Sequence, residues 1–168
     1  MSTDPTLSEH DRIVVGVDGS ESSKHALRWA WFLAQATGSR ISVVAAWQPL
    51  TTAYGWMGAW VGAGWTAMSA YWNPADDAKK ALVATVDEVF GEHRPPGLEI
   101  MVLEGNPAQV LLTKSEGARM LLVGNRGLGG FSGLLLGSVS AVCTAHATCP
   151  VLVLHGTTPP PRTRTGAA

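Results

Sequence analysis

The sequence has little cysteine and little net charge. Its two cysteines, Cys143 and Cys149, do not form a C-x-x-C pair, so neither a disulfide framework nor a paired-thiol metal site is expected. We predict that both are reduced, buried and inert, as in an intracellular protein. The formal net charge of −1 gives no long-range attraction for a polyanion, which argues against nucleic acid as a partner.

Targeting and membrane segments are also missing. Residues 1–11 are polar and acidic and have no apolar core, so they do not resemble a signal peptide. The uncharged stretches 53–70 and 128–145 approach the length of a membrane span, but Gly, Ser and Thr interrupt both. We therefore predict a cytoplasmic protein without a membrane span.

Motifs for hydrolysis and metal binding are absent. No two histidines have the His-Glu-x-x-His spacing, and no Gly-x-Ser-x-Gly motif occurs. We predict no metal ligand and no catalytic residue. The histidines are expected to be structural: His10, His25, His93, His146 and His155.

The sequence does contain alternating strand and helix patterns. Continuous apolar runs predict strands buried on both faces, at Arg12–Val17, Ile41–Trp47, Gly97–Glu104, Met120–Val123 and Pro150–Leu154. Between them, capping residues and helical periodicity predict helices from Ser20 to Gly38, Pro74 to about His93, Pro107 to near Gly117, and Gly137 to His146. This alternation is typical of an α/β fold with a five-stranded parallel sheet and helices on both faces. The pattern alone leaves two strand orders open, the flavodoxin-like order and 3-2-1-4-5.

We predict one domain over residues 11–155. Residues 1–10 are expected to be a flexible N-terminus, and residues 156–168 a disordered tail that contains proline and arginine without apolar periodicity. Within the domain, the segment 48–73 is rich in tryptophan and glycine. We predict that it forms a long loop, acting as a lid or a partner surface, with plain packing as the alternative.

The unusual residues follow the first and fourth predicted strands. Asp18-Gly-Ser follows the first strand, and a glycine-rich loop, Gly124–Gly130, follows the fourth, with Gly137-Ser138 opening the next helix. In the order 3-2-1-4-5 these strand ends are neighbours at the switch point where ligands bind. Glycine backbone and a helix N-terminus favour a phosphate, with Arg126 as a further cation and Ser138 and Ser140 as hydroxyl donors.

The loop is neither of two common nucleotide motifs. A Walker loop requires a lysine before Ser138, and none is present. The dinucleotide fingerprint requires a third glycine where Ser132 stands, and it normally follows the first strand.

The spacing instead resembles a known family. Gly124-x2-Gly127, nine residues and Gly137-Ser138 are similar to the signature of ATP-binding universal stress proteins, as are Val-Gly-Val-Asp-Gly-Ser and the closing Cys-Pro-Val-Leu-Val-Leu. The resemblance covers roughly residues 11–155. It implies an adenine nucleotide alpha hydrolase-like fold with strand order 3-2-1-4-5, and a homodimer paired through Val151–Leu154.

The resemblance also implies the site residues. Gly16 and Asp18 would lie near the adenosine, Ala46 would line the adenine pocket, and Val123 and Gly124 would lie along the nucleotide. Those holding the phosphates would be Gly127, Gly137, Ser138, Val139 and Ser140.

Three functions remain open at this point. The first is an ATP-binding regulatory protein of the stress response with little or no hydrolysis. The second is a slow ATPase in which Asp18 and Mg²⁺ position water. The third is an interaction protein that works through segment 48–73. A phosphate-binding loop does not by itself indicate how many phosphates the ligand carries, so ADP, AMP and cyclic AMP stay open as ligands beside ATP.

Overall fold

The computed structural model describes residues 9–48, 73–127 and 136–161. Within these residues, a short 3-10 helix at Glu9–Asp11 is followed by five strands and four α-helices. The strands are β1 (Arg12–Gly16), β2 (Arg40–Trp47), β3 (Glu99–Glu104), β4 (Met120–Gly124) and β5 (Val151–Leu154). The helices are α1 (Glu21–Thr37), α2 (Pro74–Phe90), α3 (Pro107–Ser115) and α4 (Ser138–His146).

The strands form one parallel sheet in the order β3-β2-β1-β4-β5. The predicted α/β class and the order 3-2-1-4-5 are therefore confirmed, and the flavodoxin-like order is excluded. In the centre, Val15 of β1 lies opposite Val43 of β2 on one side and Leu122 of β4 on the other. The chain leaves β1 and β4 towards opposite faces, so their carboxyl ends border a crevice.

Both faces of the sheet are covered, as the continuous apolar run of β1 predicts. Val14 and Val15 point to opposite faces, and neither has any exposed surface. Val15 belongs to a core with Leu27 of α1. Val14 belongs to a second core with Leu111 of α3. The sheet is thus the middle layer between two apolar cores.

The limits of α1 follow the predicted capping chemistry. The Ser20 side chain accepts a hydrogen bond from the Ser23 amide, as expected of an N-cap residue. Gly38 ends the helix with φ of 69°, a left-handed conformation that glycine adopts without steric penalty. Pro74 is the first residue of α2. Asn73 precedes it, and the Asn73 side chain accepts hydrogen bonds from the amides of Ala75 and Asp76.

Some predicted boundaries were wrong by a few residues. α2 ends at Phe90, three residues before His93, where the Gly91 amide donates to Asp87 O. β3 begins at Glu99 rather than at Gly97, because residues 95–98 form a turn. α3 ends at Ser115, and β4 extends one residue further to Gly124. Each difference lies at an element end, where local sequence specifies the structure least.

Most of the tryptophan-rich segment 48–73 lies outside the described residues, so its predicted lid or partner role is not addressed by the structure. Within the described residues, no helix combines the length and apolarity needed to cross a bilayer. Beyond β5, the Trp29 indole N–H donates to Thr158 O at 3.1 Å, which brings this part of the chain against α1.

Candidate functional site

A cleft of about 290 Å³ opens at the carboxyl ends of β1, β2 and β4. Its volume lies near the lower end of the range for small-molecule sites, roughly 300–1,000 Å³. The structure brings every predicted site residue to the lining of this one cleft: Gly16, Asp18, Ala46, Val123, Gly124, Arg126, Gly127, Gly137, Ser138, Val139 and Ser140.

Sequence reasoning missed part of the lining, notably an apolar wall from β2 and α3. Val44, Pro107 and Leu111 contribute to it. One signal was available, because a glycine inside a strand marks a close approach. A β-carbon on Gly16 would come within 2.8 Å of Leu111 Cδ1, so Gly16 lets α3 pack against the end of β1.

The Asp18 carboxylate stands at the open side of the cleft, just beyond β1. Its Oδ1 accepts from the Ser20 amide at 3.0 Å and from Ser20 Oγ at 2.6 Å. Its Oδ2 lies against Gly127, where a β-carbon would come within 2.5 Å. The carboxylate is therefore held across the crevice, where it can accept from a hydroxyl or amino group of a ligand.

The backbone after β4 is held in place by several elements. The Asn125 amide donates to Leu154 O at 2.9 Å, and Asn125 O accepts from the Gly137 amide at 2.7 Å. The next carbonyl, Arg126 O, accepts from the Ser22 hydroxyl. These bonds join β5, α4 and α1 to two consecutive loop residues, Asn125 and Arg126, which directs the backbone that enters Gly127.

The N-terminus of α4 opens onto the same cleft without a side-chain cap. Gly137 is its N-cap residue and has no side chain to accept a hydrogen bond. The other three α-helices within the described residues are capped by the side chains of Ser20, Asn73 and Asn106. The first amides of a helix have no partner inside it, and the helix dipole is positive there. The arrangement therefore offers N–H donors and partial positive charge to an anion in the cleft.

The two serines at the start of α4 differ in role. Ser140 is 5% exposed, and its hydroxyl donates to Gly124 O at 2.6 Å. The predicted hydroxyl donation from Ser140 to a phosphate therefore does not match this structure, because a buried hydroxyl has one hydrogen and gives it to a strand carbonyl. Ser138 is exposed and lines the cleft. Ser140 joins α4 to β4, and Ser138 carries the hydroxyl at the mouth.

The cysteines and the buried histidine lie outside the cleft lining. Cys143 has no exposed surface, and burial raises the pKa of its thiol to about 11, with a smaller contribution from Cys149. Burial lowers the pKa of His25, and the charge of Arg28 lowers it further. Within residues 9–48, 73–127 and 136–161, no three His, Cys, Asp or Glu side chains are grouped closely enough to hold a metal ion.

Comparisons with known proteins agree with this fold. Residues 9–155 match the model of the universal stress protein family. A universal stress protein of Thermus aquaticus is 31% identical over 150 residues, which covers 85% of this chain and 97% of that protein. One of Mycolicibacterium smegmatis is 30% identical over 144 residues and 86% of this chain, which spans about half of that protein, 48% of its length.

Solved structures show the same architecture. The universal stress protein UspA from Lactobacillus plantarum superposes with a TM-score of 0.64 at 18% identity, covering 89% of this chain and all of that one. A universal stress protein solved in complex with cAMP superposes with a TM-score of 0.53 at 26% identity, covering 88% of this chain and 98% of its own.

Proposed function

This chain belongs to the universal stress protein family, and on that premise we propose that it binds an adenine nucleotide, ATP first, in the cleft between β1 and β4. We propose that binding regulates its conformation or its choice of partner in the stress response, with little or no hydrolysis. The observation that carries the proposal is that a glycine backbone and the uncapped N-terminus of α4 both line the cleft.

The lining of the cleft has two chemically different parts, which fit the two halves of a nucleotide. Val44 and Ala46 of β2, together with Leu111 of α3, supply apolar surface suited to a base. Gly127 and Ser138 follow β4, on the other side of β1, and N–H groups there suit a phosphate. Asp18 stands on the open side of the cleft, and its carboxylate can accept a hydrogen bond from a ribose hydroxyl.

A relative supports the ligand class without fixing the phosphate number. The neighbour solved with cAMP is an adenine-nucleotide complex of the same family. Cyclic AMP, AMP and ADP therefore belong in the same experiment as ATP. A Mg²⁺ ion would fit as a companion of ATP, because Mg²⁺ in such sites takes one or two carboxylates plus the phosphates, and Asp18 supplies one.

The lining of the cleft favours binding over turnover. Among the described residues that line it, Asp18 is the only carboxylate. A slow Mg²⁺-dependent ATPase would need Asp18 both to hold the metal and to order the attacking water, without a second acid. The third function, an interaction protein working through segment 48–73, concerns residues that lie mostly outside the described ones.

We further propose a homodimer paired through Val151–Leu154. β5 is an edge of the sheet, and within the described residues it pairs only with β4. Leu152 on this edge is 37% exposed, although it is a large apolar side chain. A short apolar edge strand is a surface on which a second copy can add.

The direct test is calorimetric titration with ATP, ADP, AMP and cyclic AMP, with and without Mg²⁺, using the full chain and Gly137→Ala. A methyl group at residue 137 would lie 3.6 Å from Gly127 N and 3.5 Å from Arg126 Cα, contacts that need no rearrangement of the protein. The methyl group would nevertheless occupy the space beside the Gly127 amide. We expect the full chain to bind at least one nucleotide and the variant to bind it at least about tenfold more weakly.

The free energy of unfolding of Gly137→Ala is the control. It should change by less than about 1 kcal/mol, because φ of −69° and ψ of 159° suit alanine. Absence of binding to every nucleotide would refute the proposed site. Tight binding with rapid ATP turnover, lost in Asp18→Ala, would instead favour the ATPase.

A further inference from the structure

Ser22 makes a contact for which neither the signature spacing nor the cleft lining gives a role. It lies in the first turn of α1, and its hydroxyl donates to Arg126 O in the loop after β4. The contact joins residues 104 positions apart in the chain. It therefore connects the helix after β1 to the backbone that carries Gly127.

The neighbouring serine does not make the same connection. Ser20 Oγ lies 2.6 Å from Asp18 Oδ1 but 3.4 Å from Arg126 O. A hydroxyl has one hydrogen to donate, and the nearer carboxylate oxygen is the stronger acceptor. The Ser20 hydroxyl therefore donates to Asp18, and the Ser22 hydroxyl is the donor to Arg126 O.

The contact determines which way the Gly127 amide points. A trans peptide is planar, so its carbonyl and its N–H point in opposite directions. The described residues include no cis peptide. Because Arg126 O points to Ser22 on α1, the Gly127 N–H points away from α1. Gly127 N lies 3.6 Å from the β-carbon position of Gly137, at the start of α4.

Close packing holds Ser22 at this place. A β-carbon on Gly124 would come within 2.8 Å of the backbone carbonyl carbon of Ser22. The first turn of α1 thus lies directly on the end of β4, where the absence of a side chain on Gly124 allows the approach. This packing holds the Ser22 backbone next to the loop, so that its hydroxyl can bond to Arg126 O.

We propose that Ser22 is a positioning residue for the phosphate end of the cleft. By accepting the Ser22 hydrogen, Arg126 O orients the Arg126–Gly127 peptide so that its N–H faces the anion beside α4. Ser22 itself does not touch the ligand. This inference rests on the proposed nucleotide site, and it predicts that Ser22 contributes only to the part of the affinity that the phosphate supplies.

The test compares adenosine with AMP in the full chain and in Ser22→Ala. The two ligands differ by one phosphate, so the ratio of their dissociation constants isolates its contribution. We expect Ser22→Ala to weaken AMP binding about fivefold and adenosine binding less than about twofold, since one intramolecular hydrogen bond is lost. The Gly127 amide resonance should also shift in ¹⁵N spectra of the ligand-free variant.

Ser39→Ala is the matched control. It removes a serine hydroxyl that bonds Thr37 Oγ1 at 2.7 Å, near the other end of α1 and away from the cleft. We expect it to change neither ligand's affinity nor the Gly127 resonance.

The outcomes separate the two proposals. If Ser22→Ala leaves the AMP-to-adenosine ratio unchanged, the positioning role is refuted while the site stands. The same holds if the full chain binds adenosine and AMP equally, because there is then no phosphate contribution to position. If the full chain binds neither these ligands nor ATP, the site itself is refuted, and the role of Ser22 with it.

Discussion

Asp18 and Gly127 face each other across the crevice between β1 and β4, so closely that a β-carbon on residue 127 would come within 2.5 Å of Asp18 Oδ2. The other carboxylate oxygen, Oδ1, is held by the amide and hydroxyl of Ser20. A side chain at position 127 would begin in space that the carboxylate occupies, so the carboxylate would have to move to admit it. The two halves of the candidate site therefore constrain each other without any ligand.

This relationship predicts non-additive effects on stability. Gly127→Ala should lower the free energy of unfolding by about 1 kcal/mol, because the Asp18 side chain must rotate and lose its bonds to Ser20. In an Asp18→Ala background the same methyl group meets no carboxylate, so its effect should fall close to zero. Urea unfolding of the unchanged protein, the two single variants and the double variant gives the coupling energy between residues 18 and 127. Equal effects in both backgrounds would show that the loop backbone, rather than Asp18, adjusts to the methyl group.

Two glycines of the signature should differ in their tolerance of alanine. In Gly124→Ala the methyl group meets the backbone carbonyl carbon of Ser22 at 2.8 Å, which cannot move without shifting α1. We expect a loss of about 2–3 kcal/mol in the free energy of unfolding. Gly137→Ala has no contact shorter than 3.5 Å and should change it by less than about 1 kcal/mol. Chemical unfolding of both variants decides the order, and a reversed order would contradict the packing of α1 on β4.

The features that sequence predicted well are those determined by neighbouring residues. The run Arg12–Val17 followed by Asp18-Gly-Ser predicts a buried strand and a capped helix from local chemistry alone. The glycine spacing likewise identified Gly124, Gly127 and Gly137, which all line one cleft. The strand order came from the family resemblance, since an alternating pattern is compatible with more than one parallel order.

The features that sequence missed depend on contacts between distant segments. Leu111 forms the apolar wall because α3 packs against Gly16, and nothing in the local pattern of α3 indicates that contact. The partner of Ser140 is Gly124 O, 16 residues away, and a hydroxyl takes whichever acceptor the tertiary structure places near it. The bond from Ser22 to the loop after β4 was missed for the same reason.

The cap of α3 should affect both stability and the cleft. Asn106 Oδ1 accepts from the amides of Ala108 at 3.0 Å and Gln109 at 3.3 Å. Asn106→Ala should therefore lower the free energy of unfolding by about 1 kcal/mol, whereas Asn106→Asp, which keeps the acceptor, should not. Because Pro107 and Leu111 of α3 line the cleft, nucleotide affinity should fall in the alanine variant only. Thermal unfolding and nucleotide titration of both variants test this prediction. Equal stability and equal affinity of the two variants would show that the Asn106 cap contributes to neither.

Cys143 predicts a loss of stability at high pH. Its thiol has a folded-state pKa of about 11, above the ordinary value of 9.0, so the unfolded chain releases this proton first. The contribution of the protonated Cys143 thiol to the free energy of unfolding is therefore fully present below pH 9 and is lost as the pH rises towards 11. Cys143→Val, which fills the same buried position, should show a shallower decrease over this range. Identical pH profiles for the two proteins would refute the assignment. In the folded protein at pH 8, Cys143 should also resist alkylation.

The exposed edge of β5 leads to a prediction about assembly. A dimer paired through Val151–Leu154 should be disrupted by Leu152→Asp, because a carboxylate on an edge strand would be placed against the apolar edge of the second copy. Ala81→Asp adds the same charge on the exposed side of α2 and is the matched control. Light scattering coupled to size exclusion should give a dimer for the full chain and the control, and a monomer for Leu152→Asp. A full chain that is monomeric, or a Leu152→Asp variant that remains dimeric, would show that β5 is not the dimer interface.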